Sequence, residues 1–245
     1  WQPPAQLWLI KQLLVPKTRL ILFGQWDSWK STLAMHTNFT VGAGLKWFGL
    51  ETTAAPTVMV QLEIPKVLFR QRVVKYSQGH RLFPSNIHFI TESYLKLDTP
   101  SGLAKLITTV EPAHPALVII DPIYKVLSGG ITVDKDVKSL LENLDILMER
   151  LNCAVMLIGH TRKPMRELSA PITTVSWGHE LMGSSYFQDW TDSAVAVEKL
   201  TMTTVQLHFT KARNAEVILP TLQLRVNQST LGFSIELLRP GESGR

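Results

Sequence analysis

The chain has 245 residues, 45% of them hydrophobic and 8% aromatic, which is enough to bury a sizeable core and excludes intrinsic disorder. Charged residues make up only 18%, and 25 Lys and Arg against 20 Asp and Glu leave a net charge of +5, which suits a polyanionic partner without requiring one. A single cysteine, Cys153, excludes an internal disulfide framework and a cysteine-based metal site, and its apolar neighbours predict a buried, inert thiol.

Short aliphatic runs alternate with helical patterns through the first two thirds of the chain. The runs are apolar on both faces, which is typical of strands buried on both sides of a parallel sheet. They are Arg19–Phe23, Thr57–Leu62, Ile87–Ile90, Ala116–Ile120 and Cys153–Ile158. Strands that alternate with helices predict right-handed βαβ units in a doubly wound α/β sheet.

Two of the intervening helices have clear signals. Apolar residues recur at spacings of three and four from Asp134 to Leu151, the period of an amphipathic helix. Thr99 followed by Pro100 predicts an N-cap and first helical turn.

After Trp190 the pattern changes to an alternation of apolar and polar residues. Four runs, without a long helix between them, predict antiparallel strands that extend the same sheet: Ser193–Glu198, Thr203–Thr210, Thr221–Val226 and Leu231–Glu236. The stretch Thr161–Gly183 has no clean periodicity and predicts a long loop, a type that is usually functional in a compact domain. We expect a single domain over residues 1–245.

The first strand leads into a motif that carries chemistry. It runs directly into Gly24-Gln25-Trp26-Asp27-Ser28-Trp29-Lys30-Ser31-Thr32 and then a helix. Gly, four residues, a usual Gly, then Lys and Ser or Thr is the spacing of a phosphate-binding P-loop. Backbone N–H groups of such a turn point at the β-phosphate of a nucleotide, at the N-terminal end of a helix. Lys30 would add charge to the β- and γ-phosphates, and Ser31 a hydroxyl ligand for Mg²⁺.

Two residues depart from the common P-loop pattern. Trp29 stands where the second Gly is usual, and a left-handed backbone there would cost about 1–2 kcal/mol. Asp27 brings a carboxylate into the loop, which has to point away from phosphate or weaken its binding. A chance strand–turn–helix that contains Lys-Ser-Thr is the alternative interpretation.

Carboxylates follow two other predicted strands. Asp121 ends the run Ala116–Ile120, where a Walker B aspartate holds the metal of a P-loop enzyme, and Glu63 follows Thr57–Leu62, where a carboxylate can activate water. The alternatives are a strand-end Asp that begins a turn with Pro122 and an acid that favours a helix start. Lys, Glu and Asp at one sheet edge predict a phosphoryl-transfer site.

The order of five segments resembles the RecA-like ATPase core: GQWDSWKST, VQLEIP, LVIIDP, LIGHTRK and HFTKARN. Within that group the chain looks most like RepA-type and DnaB-type hexameric helicases and their phage or plasmid relatives, over roughly Leu7 to Ile235. The P-loop and the aspartate strand are shared by many NTPases. A glutamate after the second strand and a Lys-x-Arg near the C-terminus are more specific to this class.

The resemblance implies a role for each matching residue. Glu63 matches the catalytic glutamate and Asp121 the metal-coordinating aspartate. His160 matches the polar residue that senses the γ-phosphate. Lys211 and Arg213 match the pair that reaches the nucleotide of the neighbouring subunit, the arginine finger in trans.

The resemblance also implies partners. Thr161–Gly183 corresponds to a loop that faces the central channel, so Arg162, Lys163 and Arg166 are candidate DNA contacts. ATP and Mg²⁺ are the implied cofactors, single-stranded DNA the implied substrate, and a homo-oligomer, a hexameric ring, the implied assembly.

Each of these transferred roles has a structural alternative. His160 can be a hydrogen-bonded histidine at a strand end. Lys211 and Arg213 can form a solvated strand edge that discourages aggregation. The three loop cations can simply keep a mobile loop in solution.

The sequence thus predicts a ring-shaped helicase motor driven by ATP hydrolysis. Two other functions stay open: a recombination or repair ATPase that forms filaments, and a nucleotide-binding switch with little turnover, which Trp29 and Asp27 favour. No apolar stretch approaches the roughly 18–20 residues of a membrane span, so we expect no membrane partner and a cytoplasmic location in a bacterial, archaeal, plasmid or phage setting. The start at Trp1 rather than Met is expected of a sequence trimmed from a longer protein.

Overall fold

The computed structural model of the protein describes residues 7–92, 94–161 and 185–236. These residues form one nine-stranded sheet with helices on both faces. The strands are β1 (Arg19–Gly24), β2 (Thr57–Gln61), β3 (Ile87–Thr91), β4 (Leu117–Asp121), β5 (Ala154–His160), β6 (Ser193–Lys199), β7 (Thr204–Ala212), β8 (Leu222–Asn227) and β9 (Gly232–Glu236). The helices are α1 (Lys30–Ala43), α2 (Lys66–His80), α3 (Pro100–Val110), α4 (Asp134–Leu151) and α5 (Tyr186–Trp190).

The strand order is β3-β2-β4-β5-β1-β6-β7-β8-β9, and the strands from β3 to β6 are all parallel. The predicted α/β fold, a mostly parallel twisted sheet with C-terminal antiparallel strands, is confirmed. One detail differs, because β6 pairs in parallel with β1 and only its other edge is antiparallel, to β7. Alternation of apolar and polar residues is the same in parallel and antiparallel strands, so it could not predict the direction of β6.

Parallel register brings the carboxyl ends of the central strands to one edge of the sheet. Gly24 of β1 lies opposite His160 of β5, and Gln61 of β2 lies opposite Asp121 of β4. The P-loop and the residues that follow β2, β4 and β5 therefore share one edge, the usual ligand-binding edge of an open α/β sheet.

The core fills both faces of the sheet. α4 buries six apolar side chains at the predicted spacing: Val137, Leu140, Leu141, Leu144, Leu147 and Met148. The side chain of Thr99 accepts a hydrogen bond from the Gly102 N–H at 3.1 Å, which confirms it as the N-cap of α3. Cys153 is buried as predicted, and burial raises the pKa of its thiol to about 12.

Helix α2 is different, because it buries only Phe69 and Tyr76 and exposes most of its other side chains. Across residues 7–92, 94–161 and 185–236, no helix has both the length and the apolar character needed to cross a membrane. The loop predicted over Thr161–Gly183 lies outside the described residues beyond Thr161. That the whole of 1–245 is a single domain stays a prediction.

Candidate active site

The P-loop occupies the turn between β1 and α1. A Cβ atom on Gly24 would lie only 2.3 Å from the carbonyl oxygen of Val197 in β6, so the first glycine of the motif has no room for a side chain. At the usual second glycine, Trp29 has φ 65°, the left-handed conformation expected there. Asp27 is also left-handed, with φ 56°. The loop thus keeps a P-loop backbone with two non-glycine residues in positions that glycine tolerates best.

The two unusual residues are anchored to the turn between β6 and β7. The indole Nε1–H of Trp29 donates a hydrogen bond to the carbonyl oxygen of Met202 at 3.2 Å, and its ring packs on the core. The carboxylate of Asp27 forms an ion pair with Lys199 at the end of β6. These contacts stabilise the loop from outside and offset the charge of Asp27.

Lys30 begins α1 and is almost fully buried, with 5% of its surface exposed. Its Nζ donates hydrogen bonds to the Gln25 carbonyl and, at 3.1 Å, to Ser28 Oγ. Burial lowers the pKa of Lys30 to about 8, against the opposing attraction of Asp121, Glu63 and Asp27. The ammonium is thus held inside the loop, where a phosphate can replace its present acceptors.

Asp121 ends β4 and is 1% exposed. The Ser31 side chain acts on its carboxyl group and favours the charged form, while its Oδ2 is buried without a partner. Burial is the main cause that raises the pKa of Asp121 to about 6. A hydroxyl beside an unpartnered carboxylate oxygen is an oxygen donor set that fits Mg²⁺. The described part of the chain holds no cluster of three or more His, Cys, Asp or Glu, so nucleotide oxygens and waters would have to complete the coordination.

Glu63 follows β2 and is held from two sides. Its carboxylate accepts a hydrogen bond from the Tyr124 hydroxyl at 3.0 Å. The buried Gln61 side chain accepts the backbone N–H groups of Glu63 at 2.6 Å and Ile64 at 2.8 Å. Burial and the bond to Glu63 raise the pKa of Tyr124 to about 12, so its hydroxyl stays a neutral donor. The sequence analysis missed Tyr124 and Gln61, and the one available signal was that each lies within three residues of a predicted site carboxylate.

His160 ends β5 beside the P-loop. Its ring stacks on Trp26, with centroids 6.3 Å apart and planes at 22°, and lies 5.7 Å from the ring of Tyr124. Its Nδ1 is buried without a partner. Burial, followed by the nearby Lys30 charge, lowers the pKa of His160, so the ring is neutral near pH 7. An unpartnered ring nitrogen at this place can respond to a ligand in the P-loop.

Lys211 and Arg213 lie at the opposite end of the sheet, where the parallel strands β1 and β6 begin. β7 runs antiparallel to β6, so its C-terminal end lies beside the start of β6. Arg213 pairs with Asp192 at 2.8 Å, and Lys211 donates to the Gln188 carbonyl at 2.7 Å. Asp192 also accepts the backbone N–H of Arg19, the first residue of β1. The structure therefore does not bring either cation to the P-loop of its own chain.

The site residues predicted from the sequence thus fall into three groups. The P-loop residues, Glu63, Asp121 and His160 converge at one edge, and the Lys211–Arg213 pair lies at the other. The candidate DNA contacts Arg162, Lys163 and Arg166 lie outside the described residues.

Comparison with known proteins defines the class to which this chain belongs. The fold is RecA-like, and the model of the AAA domain family matches residues 1–166, which is more than half of the chain, so the chain belongs to this family. Among solved structures it is similar to the KaiC-like protein PH0186 from the hyperthermophilic archaeon Pyrococcus horikoshii OT3, at 13% identity and a TM-score of 0.61. That match covers 97% of this chain and 99% of the other. No match to the sequence was found among curated proteins.

Proposed function

We propose that this protein is a Mg²⁺-dependent ATPase that assembles into a ring, a hexamer, and translocates on single-stranded DNA as a helicase motor. The observation that carries the ATPase part is the convergence of three groups at one sheet edge. Lys30 is buried in the P-loop, Asp121 is buried with its Oδ2 unpartnered, and Glu63 is held by Tyr124.

Each group has a distinct task in phosphoryl transfer to water. The P-loop N–H groups and Lys30 bind the β- and γ-phosphates, and Ser31 and Asp121 hold the metal. When bound, Mg²⁺ neutralises charge that develops on the phosphate oxygens. The Tyr124 hydroxyl fixes one oxygen of Glu63, which leaves the other free to orient the attacking water and accept its proton.

A second copy supplies the remaining charge in this proposal. Lys211 and Arg213 lie at the edge away from the P-loop, which is where a finger acting on a neighbour has to be. Arg213 keeps about half of its side chain exposed although it pairs with Asp192. It would exchange that carboxylate for the γ-phosphate of the neighbour, since guanidinium binds both in the same way.

DNA coupling would run from His160 into the segment that follows it. His160 touches Trp26 of the P-loop and directly precedes Thr161, so a change at the γ-phosphate has a short covalent path to Arg162, Lys163 and Arg166. Cations on a strand backbone displace condensed counterions, each adding about 0.7 to the log–log salt slope for single strands.

The test is ATPase activity with and without single-stranded DNA, measured for the parent, Lys30→Ala and Glu63→Gln. We expect DNA to stimulate the parent, Lys30→Ala to lose ATP binding, and Glu63→Gln to bind ATP but hydrolyse it about 10²-fold more slowly. Replacing the three loop cations with Ala should lower DNA stimulation and the salt slope while basal ATPase persists. Negligible turnover in the parent would instead support a nucleotide-binding switch, and open helical particles on DNA would support a filament-forming recombinase.

A further inference from the structure

Helix α2 carries an outward face that no described residue covers. Val67 and Val74 are 69% and 43% exposed, and together with Arg70 and Lys75 they line a groove of about 650 Å³ whose far wall includes Ser229. These side chains recur at helical spacing on the side opposite to the buried Phe69 and Tyr76. Exposed apolar side chains in a polar rim mark a binding surface.

The charge of α2 is entirely of one sign. Lys66–His80 contains four Lys and Arg residues and neither Asp nor Glu. Within the described ranges, neither Arg70 nor Lys75 takes part in a salt bridge. The groove therefore fits a partner that is apolar and acidic together.

The loop between β7 and β8 has the complementary composition. Glu216, Val217 and Ile218 follow each other, and Val217 and Ile218 are 60% and 97% exposed. The backbone beneath them is fixed, because the Glu216 N–H donates to Gln12 Oε1 at 2.7 Å and Leu219 packs on the core. Such a preorganised loop loses little conformational entropy when it binds.

We propose that residues 216–218 of one copy dock on the α2 face of the next copy. Val217 and Ile218 would cover Val67 and Val74, and the carboxylate of Glu216 would lie between the two cations of the groove. The proposal rests on the proposed function and adds to it. A nucleic acid is a poorer fit to this face, because phosphates would leave the two valines uncovered.

The positions of the two patches in the chain connect this contact to the active site. α2 begins three residues after Glu63, and residues 216–218 begin three residues after Arg213. Docking therefore places the Arg213 of one copy on the side of its neighbour that carries Glu63. Because the two patches differ, the contact is head-to-tail and repeats into a ring or a filament.

The test uses the mass of the protein in solution with a non-hydrolysable ATP analogue, by light scattering after gel filtration. Ile218→Asp spoils the loop and Val74→Asp spoils the groove, so each variant should fall to the 27.6 kDa monomer. In a mixture, the intact loop of Val74→Asp can dock in the intact groove of Ile218→Asp. The two altered surfaces cannot bind a further copy, so we expect a dimer. Ile146→Asp, at an exposed isoleucine of α4, is the matched control and should assemble like the parent.

A charge exchange tests the polar part of the contact. Glu216→Lys alone and Arg70→Glu with Lys75→Glu should each weaken assembly at least tenfold, and the three changes together in one chain should restore it. A monomeric variant that still binds the nucleotide analogue is folded. Its lower particle mass then shows that the contact between copies is lost.

Three outcomes would overturn the proposal. The first is that Ile218→Asp or Val74→Asp assembles like the parent, and the second is that their mixture forms no dimer. The third is that a variant keeps the mass of the parent but loses DNA binding, which would assign the face to nucleic acid. A parent that assembles as described but does not hydrolyse ATP would reject the proposed ATPase and leave this contact standing.

Discussion

Trp29 holds the left-handed backbone that P-loops usually assign to glycine, with φ 65°. The conformational cost is about 1–2 kcal/mol for a residue with a Cβ atom. The hydrogen bond to the Met202 carbonyl and the packing of the ring on the core together outweigh this cost, so the loop keeps its shape. The tryptophan does by side-chain anchoring what glycine does by backbone freedom.

Trp29→Gly should leave ATP affinity undiminished and lower the free energy of unfolding by about 1–2 kcal/mol, because relief of the backbone cost only partly offsets the lost contacts. Trp29→Ala loses the same contacts but keeps the backbone cost, so it should be about 1 kcal/mol less stable than the glycine variant. Thermal denaturation and calorimetric titration with an ATP analogue measure both quantities. Tenfold weaker binding in Trp29→Gly would mean that the indole contributes to the nucleotide site itself.

The second residue-scale prediction concerns pH. Burial lowers the pKa of Lys30 to about 8, so in the nucleotide-free protein its charge is lost as pH rises through that value. Bound phosphate favours the charged form, and ATP binding above pH 8 should therefore take up a proton and weaken by up to about tenfold per pH unit. Calorimetry at pH 7 and pH 9, in buffers of different ionisation enthalpy, measures the uptake. An affinity that is constant over this range would contradict the assigned role.

At the scale of elements, β6 contributes more to the site than a neighbouring strand usually does. The Val197 carbonyl confines Gly24, Lys199 pairs with Asp27, and the turn after β6 accepts the Trp29 indole. The P-loop is therefore shaped from one side by β6 and from the other by α1.

Gly24→Ala should disrupt this arrangement, because its Cβ would approach the Val197 carbonyl to 2.3 Å and push β1 and β6 apart. We expect a loss of several kcal/mol in stability, on the scale of an overpacked core, together with lost nucleotide binding. Gly130→Ala is the control, since its Cβ would meet nothing closer than 3.5 Å. Equal melting temperatures for the two variants would show that β6 does not confine the loop.

The elements were predictable from the sequence where a local pattern defines them. The aliphatic runs predicted the central strands, and the spacing of three and four predicted α4. The parallel direction of β6 was not predictable, because alternation looks the same in both directions. Tyr124 and Lys199 escaped prediction for a related reason, since their partners Glu63 and Asp27 lie 61 and 172 residues away in the chain.

At the scale of the whole molecule, the candidate site residues lie at two opposite ends of the sheet strands. The P-loop, Glu63 and Asp121 share one edge, whereas Arg213 is paired with Asp192 at the other. One chain therefore cannot use its own Arg213 at its own nucleotide. If the resemblance assigns Arg213 correctly, the complete active site exists only between two copies.

Mixing two inactive variants tests this central claim most directly. Arg213→Ala should bind nucleotide nearly normally and hydrolyse it about 10³-fold more slowly, the usual effect of removing an arginine finger, and Glu63→Gln should also be slow. In an equal mixture, roughly one boundary in four pairs an intact Glu63 with an intact Arg213, so ATPase activity should rise well above that of either variant alone. A mixture no more active than its parts, or full activity of Arg213→Ala as an isolated monomer, would contradict the account.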